Sequence, residues 1–341
     1  KADGRWLDTA IAAKEKEGWI ETKLQAIRFR QATAVVVPKD GSRRAFKNVK
    51  GNAIFVGQSQ QLKFDIAAQA VTGGQVQVQG QRHPTSGVVV MAQAQNLPAQ
   101  ALKGLIALPF KLQAGLIDGN IKADFRPRQQ PSIEGTTQIR AATVVVPEQY
   151  LLRRPGTSYR TFRRVNGTIQ LFDRSRRIAF NLNGSTIAGG NVNVQGEWLR
   201  PSQQINLLVR AQNLPAKLLD RLFKLPIAVS AGEVDGALKI QLRSNQLVNL
   251  QGSAQLQAVT SRIANLPLPF TGTTGQISFQ GLTTKLENVR ALYGRIPVQA
   301  NGSVDPKRGY NLSGQSSQVA VAQVLDTFQL QLPFSTAGQV Q

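Results

Sequence analysis

Leu238, Ile240 and Leu242 alternate with Lys239, Gln241 and Arg243, and Ile121, Ala123 and Phe125 alternate with Lys122 and Asp124. A period of two sends successive side chains to opposite faces, so each stretch predicts a strand with one dry face. The same alternation marks residues 62–70, 168–172, 178–182, 205–210 and 276–280. Glutamine fills many outer positions, where a long neutral polar side chain covers a sheet without accumulating charge. Helical spacing interrupts this pattern twice, at Leu97, Ala101, Leu102, Leu105 and Ile106 and at Leu214, Leu218, Leu219 and Leu222. Pro98 and Pro215 suit a first helical turn, which needs no amide donor, while Pro109 and Pro226 push Leu108 and Leu225 out of the helical region. A third such segment, Val319 to Phe328, lacks the leading proline.

These elements recur. Gln95-Asn96-Leu97-Pro98-Ala99 returns as Gln212-Asn213-Leu214-Pro215-Ala216, and Leu108-Pro109-Phe110…Ala114-Gly115…Asp118-Gly119 as Leu225-Pro226-Ile227…Ala231-Gly232…Asp235-Gly236, all at one offset of 117 residues. A weaker copy, Leu332-Pro333-Phe334 and Ala337-Gly338, follows 107 residues later. Val35-Val36-Val37-Pro38 matches Val144-Val145-Val146-Pro147 and, loosely, Asn265-Leu266-Pro267. Gln75 to Gly80 matches Asn191 to Gly196 and then Pro297 to Gly302. Self-similarity at a fixed period is the signature of an array. The units read as 18–134, 135–251 and a truncated 252–341, with 1–17 as the end of a preceding element and the whole chain as an excerpt of a longer one. Each unit has room for about seven strands of ordinary length and one short amphipathic helix. Gly73-Gly74 and Gly189-Gly190 signal hairpins, and Gly119 and Gly236 inside alternating segments mark a bulge, a close backbone approach or a turn after aspartate.

Composition narrows the chemistry. Of the 341 residues 41% are hydrophobic but only 6% aromatic, so any apolar site is aliphatic in character. No apolar run approaches the roughly 18 residues of a membrane helix, and no charged-then-apolar leader opens the sequence. With zero cysteines there are no disulfides and no thiolate metal sites. His83, the one histidine, precedes Pro84 in a turn-like segment and reads as an exposed loop residue. Asp118 and Asp235 correspond, with turn chemistry as a sufficient explanation. Phosphate-cradling loops, a nucleophile elbow and zinc motifs are absent from the sequence. The expectation is a protein that is not an enzyme and carries no cofactor or metal.

The net charge of +22 predicts attraction to polyanions or anionic membrane surfaces. Lys39, Arg43, Arg44, Lys47 and Lys50 in the first unit, and Arg153, Arg154, Arg160, Arg163 and Arg164 in the second, cluster in equivalent segments after the Val-Val-Val-Pro landmark. Equivalent loops of an array share one edge, so these predict a basic rim, extended by Arg174, Arg176 and Arg177, for lipid head groups or an acidic partner. A solvated edge that discourages strand-to-strand aggregation accounts for the same residues. Nucleic-acid binding is the weakest reading, because only Phe46, Tyr159 and Phe162 accompany the two clusters.

Asp3-Gly4-Arg5-Trp6-Leu7 and Gly18-Trp19-Ile20-Glu21, leading into the strand that ends Val-Val-Val-Pro, resemble the AsmA-like region of TamB-type proteins. The Leu-Pro-Phe…Ala-Gly…Asp-Gly pattern, Tyr293-Gly294-Arg295-Ile296-Pro297…Gly302 and Gly309-Tyr310-Asn311-Leu312 resemble the cyanobacterial and chloroplast branch, where the chloroplast member is a protein-import component. This resemblance spans essentially the whole chain. It implies a mainly β fold, an elongated sheet curled into an open, β-taco-like trough with an aliphatic interior. It further implies placement in the periplasm or an intermembrane space, tethered to the inner membrane through an anchor outside this segment and reaching toward an outer-membrane barrel assembly protein. Two functions follow. One is a bridge that moves or binds the acyl chains of a phospholipid or glycolipid, with Val76, Val78, Val192, Val194, Leu238, Ile240 and Leu242 lining the groove. The alternative is a scaffold or chaperone for outer-membrane protein assembly or translocation, working through an exposed sheet edge.

Overall fold

In a computed structural model the described residues are 25–37, 43–56, 61–102, 108–129, 131–148, 160–172, 174, 176–218, 227–263, 266–305, 307–330 and 338–340. The alternating segments form β1 (Ala26–Val36), β2 (Arg44–Val56), β3 (Gln61–Ala70), β4 (Gln75–His83), β5 (Gly87–Pro98), β6 (Lys111–Phe125), β7 (Ser132–Val145), β8 (Thr161–Phe172) and β9 (Arg177–Thr186). They continue as β10 (Asn191–Leu199), β11 (Gln204–Pro215), β12 (Ala228–Arg243), β13 (Gln246–Arg262), β14 (Phe270–Gln280), β15 (Thr283–Tyr293), β16 (Ile296–Asp305) and β17 (Gly309–Ser316). Every strand pairs antiparallel with the next, in one sheet of 17 strands. β1 and β17 do not pair, so the sheet is open. At about 4.8 Å per strand its hydrogen-bonding direction runs roughly 77 Å.

The repeat is legible in this sheet. Gln75 to Gly80, Asn191 to Gly196 and Pro297 to Gly302 fall on β4, β10 and β16, so the pattern returns every six strands rather than the expected seven. The strands are long, 16 residues in β12 and 17 in β13, and fewer fit into one period. The boundaries at 134/135 and 251/252 lie inside β7 and β13, and the sheet continues through both. The two glycine pairs do turn hairpins, β3 to β4 and β9 to β10.

One α-helix lies wholly among the described residues, α1 (Val321–Phe328), after the two-residue strand β18 (Val319–Ala320) that pairs with β19 (Gln339–Val340). One helix per unit is therefore not supported. Leu97 and Pro98 end β5, and Leu214 and Pro215 end β11; a 3-10 turn follows at Ala99–Leu102, and Lys217 and Leu218 are helical. The prolines occupy strand ends, where a missing amide is tolerated. The rest of the two expected helices, 103–107 and 219–226, lies outside the described residues, as do 1–24 with the opening motif, and residues 331–337.

The connections β1/β2, β5/β6, β7/β8 and β11/β12 share one rim, the long-loop rim, and those between β2/β3, β4/β5, β8/β9 and β12/β13 share the opposite, short-turn rim. Close to the long-loop rim the register slips at a succession of strands, with Gln31, Asn48, Asn96, Ala141, Arg164, Asn213, Ala258 and Asn288 at positive φ. Each slip is a bulge that bends its strand and increases its twist. A side chain from the following strand holds several of them. Asp118 Oδ1 accepts from the Asn96 amide at 2.7 Å, Asn166 Oδ1 from Ala141 at 2.9 Å, Asp235 Oδ1 from Asn213 at 2.6 Å and Asn301 Oδ1 from Asn288 at 2.8 Å. The Asp-Gly steps are thus not turns. The aspartate brackets a bulge, and the glycine permits close approach, since a Cβ on Gly119 would lie 2.5 Å from the Thr136 carbonyl oxygen. Asp235→Ala removes the acceptor of Asn213 and also that of Gln257 Nε2. We expect a loss of about 1–2 kcal/mol, read as faster hydrogen exchange at the Asn213 amide with β8 and β9 still protected.

Ile117, Ile139, Ile169 and Ile178 are the largest fully buried side chains, and the main cluster joins Ile139, Val144, Val165, Ile169, Leu171, Ile178, Phe180 and Leu182 on β7, β8 and β9. Leu108, Phe110 and Leu112 from the long-loop rim pack against it. That cover explains how one face of a single sheet becomes dry.

Candidate functional site

Beside this core lies a cavity of about 280 Å³, just below the roughly 300–1,000 Å³ of ligand sites. Its walls come from one face of β7 to β14 and from Pro109, Phe110 and Leu218 on the long-loop rim. The strand register builds them. In the hydrogen-bonding direction Gly167, Leu182, Val194, Val209, Leu238 and Gly252 stand opposite one another from β8 to β13. A parallel row is Ile169, Phe180, Gly196, Leu207, Ile240 and Leu250, and a third is Leu171, Ile178, Trp198, Ile205, Leu242 and Leu247. Alternation thus places every member of a row on one face, and the register stacks the rows into a continuous apolar floor, aliphatic but for Phe180, Trp198 and the glycines.

Of the expected groove residues, Val192, Val194, Leu238, Ile240 and Leu242 line this cavity together. Val76 and Val78 lie elsewhere, on β4. Val78 belongs to the corresponding row of the first repeat, Gly51, Ile66, Val78, Ala92, Ile121 and Gly135, where alanine replaces the larger second-repeat side chain. Val76 sits between Ala68 and Ala94 and borders a polar hollow with Asn48, Lys50 and five glutamines. Ile205, Leu207 and Val209 are legible in the sequence as strand positions only, and their register with β10 and β12 brings them into the lining.

Of the ten basic residues expected on one rim, the seven described ones lie toward the long-loop rim, but the extension by Arg174, Arg176 and Arg177 does not join them. Lys39, Arg153 and Arg154 lie outside the described residues. Arg44, Lys47 and Lys50 are on β2, and Arg163 and Arg164 on β8, so these are strand positions toward the long-loop rim rather than loop residues; Arg43 immediately precedes β2. Arg174, Arg176 and Arg177 stand at the β8/β9 turn, on the short-turn rim, because a strand carries the chain across the sheet between the two groups. There Arg177 pairs with Glu197 at 2.9 Å, and Arg200 lies over the Trp198 ring at 5.8 Å. Arg160 is different again. It lines the cavity, its side chain 17% exposed, and pairs with Glu148 at 2.8 Å.

His83 ends β4, with Nδ1 3.0 Å from Thr85 Oγ1, in the turn to β5. Among the described residues no three His, Cys, Asp or Glu side chains gather as a metal site. The Asp305 carboxyl at the β16/β17 turn has its pKa held down to about 2 by the Thr283 hydroxyl and then by the amides of Arg308 and Lys307, and it does not line the cavity. No helix of the described residues is long and apolar enough to cross a membrane.

Comparison with known proteins gives one partial likeness. TIC236, a chloroplastic protein of Arabidopsis thaliana, is 25% identical over 206 residues, which is 56% of this chain and 9% of that protein. The chain therefore spans about a tenth of the length of the relative it matches. No family model and no solved structure matches it. A chloroplast relative agrees loosely with the chloroplast branch of the TamB-type resemblance.

Proposed function

We propose that this chain is a stretch of a non-enzymatic bridge between membranes, an open trough whose aliphatic face shelters lipid acyl chains. The observation that carries this reading is the set of apolar rows running unbroken across β8 to β13 in the direction in which the array extends. Burying a methylene gains about 0.8 kcal/mol, so a sixteen-carbon chain gains roughly 12 kcal/mol, enough to offset departure from a bilayer. Row and array share one axis, which lets a tail slide without leaving apolar surroundings. The bulges near the long-loop rim supply the curl that turns a sheet into a trough. The resemblance to TamB-type proteins supports the same placement, a periplasm or intermembrane space, with a membrane anchor outside this segment and an outer-membrane barrel partner.

Photocrosslinking amino acids at Val192 and Ile240 are expected to yield phospholipid adducts identifiable by mass spectrometry, and those at Gln195 and Gln241 on the opposite face to yield few. Equal yields from both faces, or none from either, would sink the reading.

The second reading is a strand-adding scaffold for translocated or outer-membrane proteins. Its support is the open sheet, in which β17 is exposed along almost its whole length and pairs on one side only among the described residues. An unpaired edge can accept a client strand. Depletion that alters barrel-protein levels while lipid composition stays constant would favour it.

A further inference from the structure

The cavity is amphipathic, and its polar end is built at one place. Among its 28 described lining residues Arg160 is the one charged side chain, with Thr186 on the same rim opposite Phe162 and Asn183 further along β9 opposite Asn166. The rest of the lining toward the short-turn rim, ending at Ile205, Leu242 and Leu247 and including Phe180 and Phe279, is apolar. Resting on the lipid reading above, we infer that this site takes one amphiphile of a defined class, a diacyl lipid with an anionic phosphate head group. Its phosphate sits at Arg160 on the long-loop rim, and its tails point toward the short-turn rim, running beyond the cavity of about 280 Å³ onto the open apolar rows.

Charge complementarity carries the choice. A guanidinium offers five N–H donors in a planar fork that suits phosphate oxygens, and inside a low-dielectric wall its charge is weakly screened. Its contacts include Nη2 with Glu148 at 2.8 Å and Nη1 with the Val146 carbonyl at 3.4 Å. Glu148 is 46% exposed against 17% for Arg160. The carboxylate therefore can swing into solvent while the guanidinium stays at the cavity wall. Glu148 acts as a resident anion that a phosphate displaces, which sets a threshold for loading and favours net anionic head groups over zwitterionic ones. Arg163 and Arg164, three and four residues further along, raise the local positive potential on the same rim.

The test uses the whole chain incubated with vesicles of dioleoylphosphatidylglycerol, dioleoylphosphatidylcholine or dioleoylglycerol in a phosphatidylcholine background, with the captured lipid quantified by mass spectrometry. The acyl chains are identical, so the head group alone differs. Wild type is expected to favour phosphatidylglycerol over dioleoylglycerol, and Arg160→Gln to lower that ratio about tenfold. Arg160→Lys should retain most of it. Glu148→Gln should raise phosphatidylglycerol capture several-fold, and this variant keeps the inference testable even where Arg160→Gln fails to fold. A ratio untouched by Arg160→Gln, or an unchanged or weaker capture in Glu148→Gln, overturns the head-group site while leaving the trough intact. Equal capture of all three lipids by wild type does the same. Capture of none overturns the lipid reading itself.

Discussion

Gly252→Ala is expected to break the pairing of β12 with β13. Gly252 has φ +145, and an added Cβ would lie 2.0 Å from the Ala237 carbonyl oxygen and 3.0 Å from the Leu238 Cα. Both neighbours are backbone, so no rotamer change relieves the contact, and one strand must move. The backbone region is itself open essentially only to glycine, at a cost of about 1–3 kcal/mol for any other residue before the clash is counted. Together these predict a loss above roughly 3 kcal/mol, at the severe end of single substitutions. Gly167 repeats the geometry with φ +143 and a Cβ contact of 2.0 Å to the Asn181 carbonyl oxygen, so Gly167→Ala is expected to behave alike between β8 and β9. The measurement is hydrogen exchange by mass spectrometry, with protection lost at the two affected strands. Variants as protected as wild type there would show that the rows do not need a glycine at their ends.

Ile178→Ala is the second large effect. Ile178 is fully buried in the main cluster and stands between Leu171 and Trp198 in its row. Removing a buried isoleucine side chain costs about 2–5 kcal/mol, the upper part of that range applying where the walls cannot collapse. Here Leu171, Phe180 and Trp198 are held by strand pairing on both sides, so the upper part is expected. In an open sheet each strand contacts mainly its neighbours, and stability is close to a sum of local terms. The destabilisation should therefore appear as early loss of protection in β7 to β10 during a urea titration, with β13 to β16 little changed. A uniform shift of all strands would instead mean that the 17-stranded sheet unfolds as one cooperative unit.

Period-two alternation placed strands correctly because burial of one face is a local constraint written in each segment. Leu238, Ile240 and Leu242 were legible as one face of β12 for that reason. What they face was not, since Val209, Leu207 and Ile205 become their partners through register alone. Strand count went astray through length. With only the two-stranded β18/β19 sheet beside it among the described residues, the large sheet takes its width from longer strands, and β12 and β13 run to 16 and 17 residues where about five or six is usual. The helices after Leu97 and Leu214 were overextended at their starts, because i, i+3, i+4 spacing does not exclude a strand that bulges before a proline. Arg160 read as one of ten similar cations; its separate position depends on the segment from Val146 to Glu148 folding beside it.

A period of six strands has a consequence for how such an array can lengthen. Antiparallel neighbours run in opposite directions, so only an even number returns the next copy to the same direction, with its long loop on the same rim and its apolar side chains on the same face. An odd insertion would invert everything downstream, sending the Pro109-like and Arg160-like segments to the wrong rim. Growth and loss are thereby restricted to whole hairpins, and a variant with β3 and β4 deleted together should keep its phase where one lacking β4 alone could not.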